Sequence, residues 1–173
     1  MKKLLSSYFY SYISLFPVVL FLWMRRFGYS WIESFMVGGI FSLGYLVYLW
    51  SNKKKIDHLQ LSLYCFLIGG ACLIFKIPAL NIAYRTLKQS IIFVWLIIIG
   101  MVTTIFTQSG FIDVKKANKR QVVFASLLLI LTSILLLPFS FYVKNYSTFL
   151  ATSGGILLFV LIREQIRKNI SLF

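Results

Sequence analysis

The chain has 173 residues, 60% of them apolar and 13% charged, with 18 Lys and Arg against 4 Asp and Glu and a single His. A soluble domain is about 45–50% apolar and about 25% charged, so this composition belongs to a membrane class. The bases sit between long apolar runs rather than on one soluble face, which excludes nucleic-acid binding as the meaning of the +14 net charge, and so few acids and histidines leave little material for a hydrolytic or metal-dependent site.

A membrane-crossing helix needs about 20 mostly apolar residues. Runs of that kind cover 8–24, 31–50, 59–75, 90–107, 121–143 and 146–162. The expectation is a single all-α polytopic bundle over residues 1–173, with no loop long enough to hold a folded extramembrane domain. The first run follows Met1-Lys2-Lys3 like a signal peptide, but it lacks a small-residue cleavage site before Arg25 and is long for such a segment. It reads as an uncleaved first helix in a bacterial inner membrane. The second run starts at Trp31 and carries Glu33 two residues in. A carboxylate there meets the positive end of the helix dipole. Arg25 and Arg26, in the loop before it, are the expected ion-pair partners that would tie the first two helices.

Cys65 and Cys72 lie seven apart in the third run. That is about 10 Å of helical rise, too far for a disulfide. His58 continues the spacing, and the same distance forbids a shared metal, so the three read as small core residues and an interfacial His. The third loop, 76–89, opens with Lys76-Ile77-Pro78. Leu80, Ile82, Ala83 and Leu87 would form one side of an interfacial turn, with Arg85 and Lys88 projecting toward water or phosphate. The last apolar stretch, 121–162, is too long for one helix and splits most naturally near Lys144-Asn145; merging a pair of runs gives a five-span alternative. Pro17 and Pro138 fall inside spans, which lipid-embedded helices tolerate.

Counting bases on alternate sides orients the chain. Lys2, Lys3, Lys53, Lys54, Lys55, Lys115, Lys116, Lys119, Arg120, Arg163, Arg167 and Lys168 share one side, and Arg25, Arg26, Lys76, Arg85, Lys88 and Lys144 the other. Twelve against six puts both termini in the cytoplasm. Trp23, Trp31, Trp50, Tyr8, Tyr10, Tyr48, Tyr142 and Tyr146 stand near span ends, where rings with one polar edge anchor at the interface.

Glycine pairs mark three spans: Gly38-Gly39, Gly69-Gly70 and Gly154-Gly155, with Gly44, Ala71 and Thr152-Ser153 as small neighbours. In lipid, small residues let helix backbones approach closely, so these are the expected inner faces; unwound segments around a substrate are the alternative. The remaining acids, Asp57, Asp113 and Glu164, read with His58 as solvated loop charges or local ion-pair partners. Arg25, Arg26, Lys76, Arg85 and Lys88 form an outward basic set opposed only by Glu33, a candidate anchor for an anionic lipid headgroup beyond ordinary snorkelling. No catalytic residue, metal site or cofactor is expected.

Residues Leu15-Phe16-Pro17-Val18-Val19-Leu20-Phe21, the Tyr45–Trp50 span end, the basic stretch Lys54–Leu61 and Gly69-Gly70 together resemble the bacterial intracellular septation protein A family. Tyr84-Arg85-Thr86-Leu87-Lys88 resembles that family's aromatic-basic stretch before the fourth helix, without its W-K-P-T form. The similarity covers roughly residues 12 to 105 and fades in the last third. It implies a role in septation, elongation and envelope integrity through contacts with other inner-membrane proteins, and no catalytic motif. The expected function is therefore a non-enzymatic envelope scaffold. A small transporter or lipid-moving protein, with the basic set as an anion entrance, is the alternative; a lipid-metabolism enzyme ranks last because no Asp-rich metal motif or His-Asp pair is present.

Overall fold

The computed structural model describes residues 15–114, 118–143 and 154–171, and these residues form helices and turns with no strand. Helix α1 covers 15–26 of the described chain, followed by α2 (Trp31–Ser51) and α3 (His58–Ala71), which tightens into a 3-10 turn at Cys72–Phe75. Next come α4 (Pro78–Leu87), a 3-10 turn at Lys88–Ser90, α5 (Ile91–Phe106), α6 (Lys119–Val143) and α7 (Gly155–Ser171). Four stretches, Trp31–Ser51, His58–Phe75, Pro78–Phe106 and Lys119–Val143, are long and apolar enough to cross a membrane. Ile40, Leu43 and Val47 on α2 and Leu127, Leu131 and Leu135 on α6 are exposed. Rows of bare aliphatic side chains like these suit contact with lipid rather than water. The chain has the pattern of a multi-pass membrane protein.

The second, third and fifth expected spans coincide with helices to within two residues at each boundary. The start of the first, with Lys2, Lys3, Tyr8 and Tyr10, lies outside the described residues, as do Lys115, Lys116, the Lys144-Asn145 break, Tyr146 and Thr152-Ser153. The fourth differs: helix begins at Pro78, twelve residues before the expected Ser90. Proline supplies a ready φ for a first helical turn, and Leu80, Ala83 and Leu87 recur at helical spacing. The expected interfacial turn is thus a full helix, interrupted where Lys88 takes a left-handed φ of 49°. At the far end, α7 runs nine residues beyond the expected Ile162, through Arg163, Arg167 and Lys168.

Two compact units divide the chain. The first holds residues up to Ile56 and Leu63–Ile82. Its core is an aromatic cluster: the Phe35 ring centroid lies 4.7 Å from that of Phe21 and 5.2 Å from that of Phe66, with Trp31 beside it at 5.7 Å. Glycine makes this closeness possible. A Cβ on Gly70 would stand 2.1 Å from the Phe35 ring, and one on Gly39 would stand 2.8 Å from the Ala71 Cβ. A Cβ on Gly38 would lie 3.2 Å from Leu67. Helices α2 and α3 therefore meet through the expected glycines, whereas Gly44 has open space around it.

The second unit holds Asp57–Ser62 and the residues from Ala83 onward. In it α5 and α6 run antiparallel. The Ser90 and Ser140 hydroxyls meet at 3.0 Å, and Gly100 lies opposite Ile130, so ten residues along α5 match ten back along α6. The buried positions of α6 include Val122, Ser126, Leu129, Ser133, Leu136 and Ser140. Their alternating steps of four and three are the knob positions of a coiled-coil seam, with a serine at every seventh residue. Small hydroxyl side chains there allow close backbone approach, as glycine does. Ser133 donates back to the Leu129 carbonyl at 3.1 Å, so its hydroxyl is satisfied without leaving its own helix. Pro138 sits on the exposed side of α6, away from this seam.

Candidate functional site

The second unit holds a buried ion pair and a buried histidine at one end of α3. Asp57 precedes the helix: its carbonyl accepts from the Leu61 N–H at 2.9 Å, and its Oδ1 accepts from the Leu59 N–H at 3.2 Å. The same carboxylate takes both guanidinium arms of Arg163, with Nη1 donating to Oδ2 at 3.0 Å and Nη2 donating to Oδ1. Arg163 is buried to 4% side-chain exposure while Asp57 keeps 29%. Burial by itself pushes the Asp57 carboxyl up. The Arg163 hydrogen bonds and charge, the Leu59 N–H and the charge of Arg167 outweigh that, leaving it below the usual carboxylate range.

The next residue anchors a second partner. His58 Nδ1 lies 2.7 Å from the Gly110 carbonyl; because that oxygen only accepts, Nδ1 carries the proton. Gly110 sits in the turn after α5 with φ 56°, and a Cβ there would meet the Ser126 Oγ at 2.5 Å. The backbone favours glycine here and the space requires it. Phe111 and Ile112 beside it are fully buried. Ile112 N–H donates to Ser126 Oγ at 3.4 Å, and the Phe111 ring centroid is 5.9 Å from that of Phe159. Phe159 lies one helical turn before Arg163, and Gly155 one turn before that. All three are buried, forming a stripe along α7. A Cβ on Gly155 would stand 2.6 Å from Phe93, so the start of this stripe rests on α5.

The result is a clasp. A bidentate ion pair joins α3 to α7, and a histidine hydrogen bond joins the same end of α3 to the turn between α5 and α6. Bidentate Arg–carboxylate geometry fixes orientation as well as distance. The Nε of Arg163 is buried without a partner, so two arms of the guanidinium carry the whole interaction among the described residues.

These assignments correct the reading of Asp57 and His58 as solvated loop groups. Asp57 is held by the buried Arg163 from 106 residues away, and His58 is itself buried against the Gly110 carbonyl. Arg163 itself is a core residue rather than a free base, whereas Glu164 pairs locally with Arg167 at 3.1 Å and is exposed. Glu33 also has a partner other than the one expected. Its carboxylate accepts from the Ser30 N–H at 2.8 Å while Ser30 Oγ accepts from the Glu33 N–H at 3.2 Å, a reciprocal capping box at the start of α2. No basic side chain of the described residues pairs with it. Arg25 instead lies over the Trp31 ring, 4.3 Å from its centroid, and donates to the Tyr29 carbonyl.

Arg25, Arg26 and Lys76 fall in the first unit, and Arg85 and Lys88 in the second. Arg26, Lys76, Arg85 and Lys88 are exposed. Among the glycines, Gly38, Gly39, Gly70 and Gly155 make close approaches, Gly69 is buried, and Gly154 has open space about it. Cys65 and Cys72 are free thiols. The capping box is readable as Ser-x-x-Glu before an apolar run, and the clasp has one signal, the i, i+4 stripe that places Arg163 beneath Phe159. Compared with known protein families, with curated proteins and with solved structures, the chain matches none.

Proposed function

We propose that this chain is a six-span protein of the bacterial inner membrane, with both termini in the cytoplasm, acting as a non-enzymatic scaffold of the cell envelope. The observation that carries the reading is the clasp. Asp57, Gly110 and Arg163 meet at one level of the second unit: α3 starts there, α5 ends near it, α6 starts near it, and α7 passes it at Arg163. The chain segments flanking these three points hold Lys53–Lys55, Lys119, Arg120, Arg167 and Lys168. An excess of bases marks the cytoplasmic side.

Two features support a scaffold over a conduit. The buried ion pair fastens the start of α3 to α7 with both guanidinium arms engaged, whereas in coupled transporters intramembrane charges line a path. The helix seams close through glycine and serine, leaving the outer apolar faces of α2 and α6 as the broad surfaces available to other membrane proteins. The likeness to the septation family directs the search for partners to envelope and division proteins. A photo-crosslinking side chain at Val47 or Leu131, both exposed, tests this in growing cells. The expected result is discrete adducts whose second member is an inner-membrane envelope protein. Ligand-dependent flux in vesicles holding the purified chain, with no adduct at either position, would overturn the scaffold reading.

A further inference from the structure

The cytoplasm-facing bases of α6 have a second feature that orientation leaves unexplained. Lys119 and Arg120 occupy its first turn, both exposed, and no carboxylate of the described residues pairs with either. Directly beneath them are two adjoining shallow, open depressions of the surface. One, about 590 Å³, runs from Asn118, Lys119 and Arg120 down past Val123 to Leu127. The other, about 240 Å³, lies between α6 and α7, with Ala125, Leu128, Ile166 and Ile170 as its apolar walls and Gln121 and Asn169 as its polar ones. Phe124 lines both, so its ring, 69% exposed, is the ridge that separates them.

We infer that this face of the second unit binds one anionic diacyl phospholipid, its phosphate held by Lys119 and Arg120 and its two chains lying on either side of Phe124. Each part of the surface matches a part of that molecule. An ammonium and a guanidinium at the top suit a phosphate, to which both donate charge-assisted hydrogen bonds. The side-chain amides of Gln121 and Asn169, at the rim of the smaller depression, suit the glycerol ester region. Shallow apolar surface on both sides of the exposed Phe124 ring suits paired acyl chains. A second copy of this chain is a poor occupant: a two-fold contact centred on Lys119 and Arg120 would bring the same bases together, within a molecule already at +14. The choice of leaflet rests on the orientation proposed above and places the lipid in the cytoplasmic one, where anionic lipids attract bases beside a membrane span.

The test uses the full chain in lipid nanodiscs, with Phe124→Trp as a reporter, its emission taken as the difference from the parent chain with its four tryptophans, and phospholipids brominated on the acyl chain as contact quenchers. Two near-surface bases give a preference on the order of 10- to 30-fold for an anionic over a neutral lipid. Brominated phosphatidylglycerol is therefore expected to half-quench the added tryptophan at about a tenfold lower mole fraction than brominated phosphatidylcholine. In the Lys119→Gln/Arg120→Gln variant the two lipids should quench alike, with quenching by the neutral lipid retained. Equal quenching by the two lipids with both bases present would overturn the inference. So would a preference that survives loss of both bases, or a reporter indole shielded from every lipid by a second copy or another protein. Nanodiscs hold both leaflets at equal composition, so this readout is independent of cellular orientation and of the scaffold role, and either can fail without the other.

Discussion

Replacing Arg163 with Met removes the guanidinium while keeping most of the apolar length of the side chain. Losing one member of a buried pair costs about 3–5 kcal/mol, because the other charge is left behind without compensation. Here the orphan is Asp57, whose 29% exposure lets water reach it. The expected cost is therefore at the low end, about 3 kcal/mol. For a chain of this size that is a fall in Tm of about 6–12 °C. Asp57→Asn leaves the opposite orphan, a guanidinium only 4% exposed, and should cost more, about 4–5 kcal/mol. The double variant removes both charges, so it should be more stable than the sum of the single losses implies, by about 2–3 kcal/mol. Thermal unfolding of the four proteins in one detergent, followed by circular dichroism, measures this cycle. Additive losses, or an Arg163→Met variant within about 0.5 kcal/mol of the parent, would refute the clasp as a source of stability.

The same pair sets a pH dependence. The folded Asp57 carboxyl titrates below its unfolded value, so its contribution is complete above the ordinary aspartate value of about 4 and is lost as the pH falls through the lower, folded one. Melting curves from pH 7 to pH 2 should show this acid-side loss in the parent and a shallower one in the double variant; identical slopes would contradict it. Gly70→Ala drives a methyl into the Phe35 ring and should cost about 1–3 kcal/mol. Gly44→Ala, with nothing nearby, should be neutral or stabilise by up to about 1 kcal/mol, and the same unfolding assay separates them. Ser30→Ala removes the cap of α2 and should cost about 1 kcal/mol, while Glu33→Ala combined with Arg25→Gln should be additive. A measurable coupling between those two would restore the ion pair expected from sequence.

Periodicity and hydropathy make the helices legible because a span must be long and apolar whatever it packs against. The glycine pairs are legible for a related reason: close backbone approach has few other solutions in lipid. The seam of α6 is not, although Ser126, Ser133 and Ser140 stand at a strict seven-residue interval. Serine is equally at home on a polar face, and its small size shows as packing only once a neighbouring helix is in place. The turn after α5 misleads in the same way. Thr107-Gln108-Ser109-Gly110 reads as a polar loop, yet Phe111 and Ile112 beside it are core residues. The clasp depends on contacts 52 and 106 residues apart in the chain. A single sequence gives no sign that the start of α3 meets the middle of α7, so Asp57 and Arg163 look like two loop charges. Proximity assigns Glu33 to Arg25 and Arg26, but the nearer competitor is the backbone of Ser30.

Topology and scaffold role both depend on Asp57, Gly110 and Arg163 lying toward the cytoplasmic side of the membrane. With Cys65 and Cys72 replaced by alanine, single cysteines at Lys53, Lys119 and Lys168 report that side, and cysteines at Arg26 and Arg85 report the other; all five positions are exposed. A membrane-impermeant maleimide applied to intact bacterial spheroplasts and to inverted vesicles reads them directly. Lys53→Cys, Lys119→Cys and Lys168→Cys should label only in inverted vesicles, and Arg26→Cys and Arg85→Cys only in spheroplasts. Labelling of the first three from outside the cell, or on opposite sides from one another, would contradict the proposed orientation.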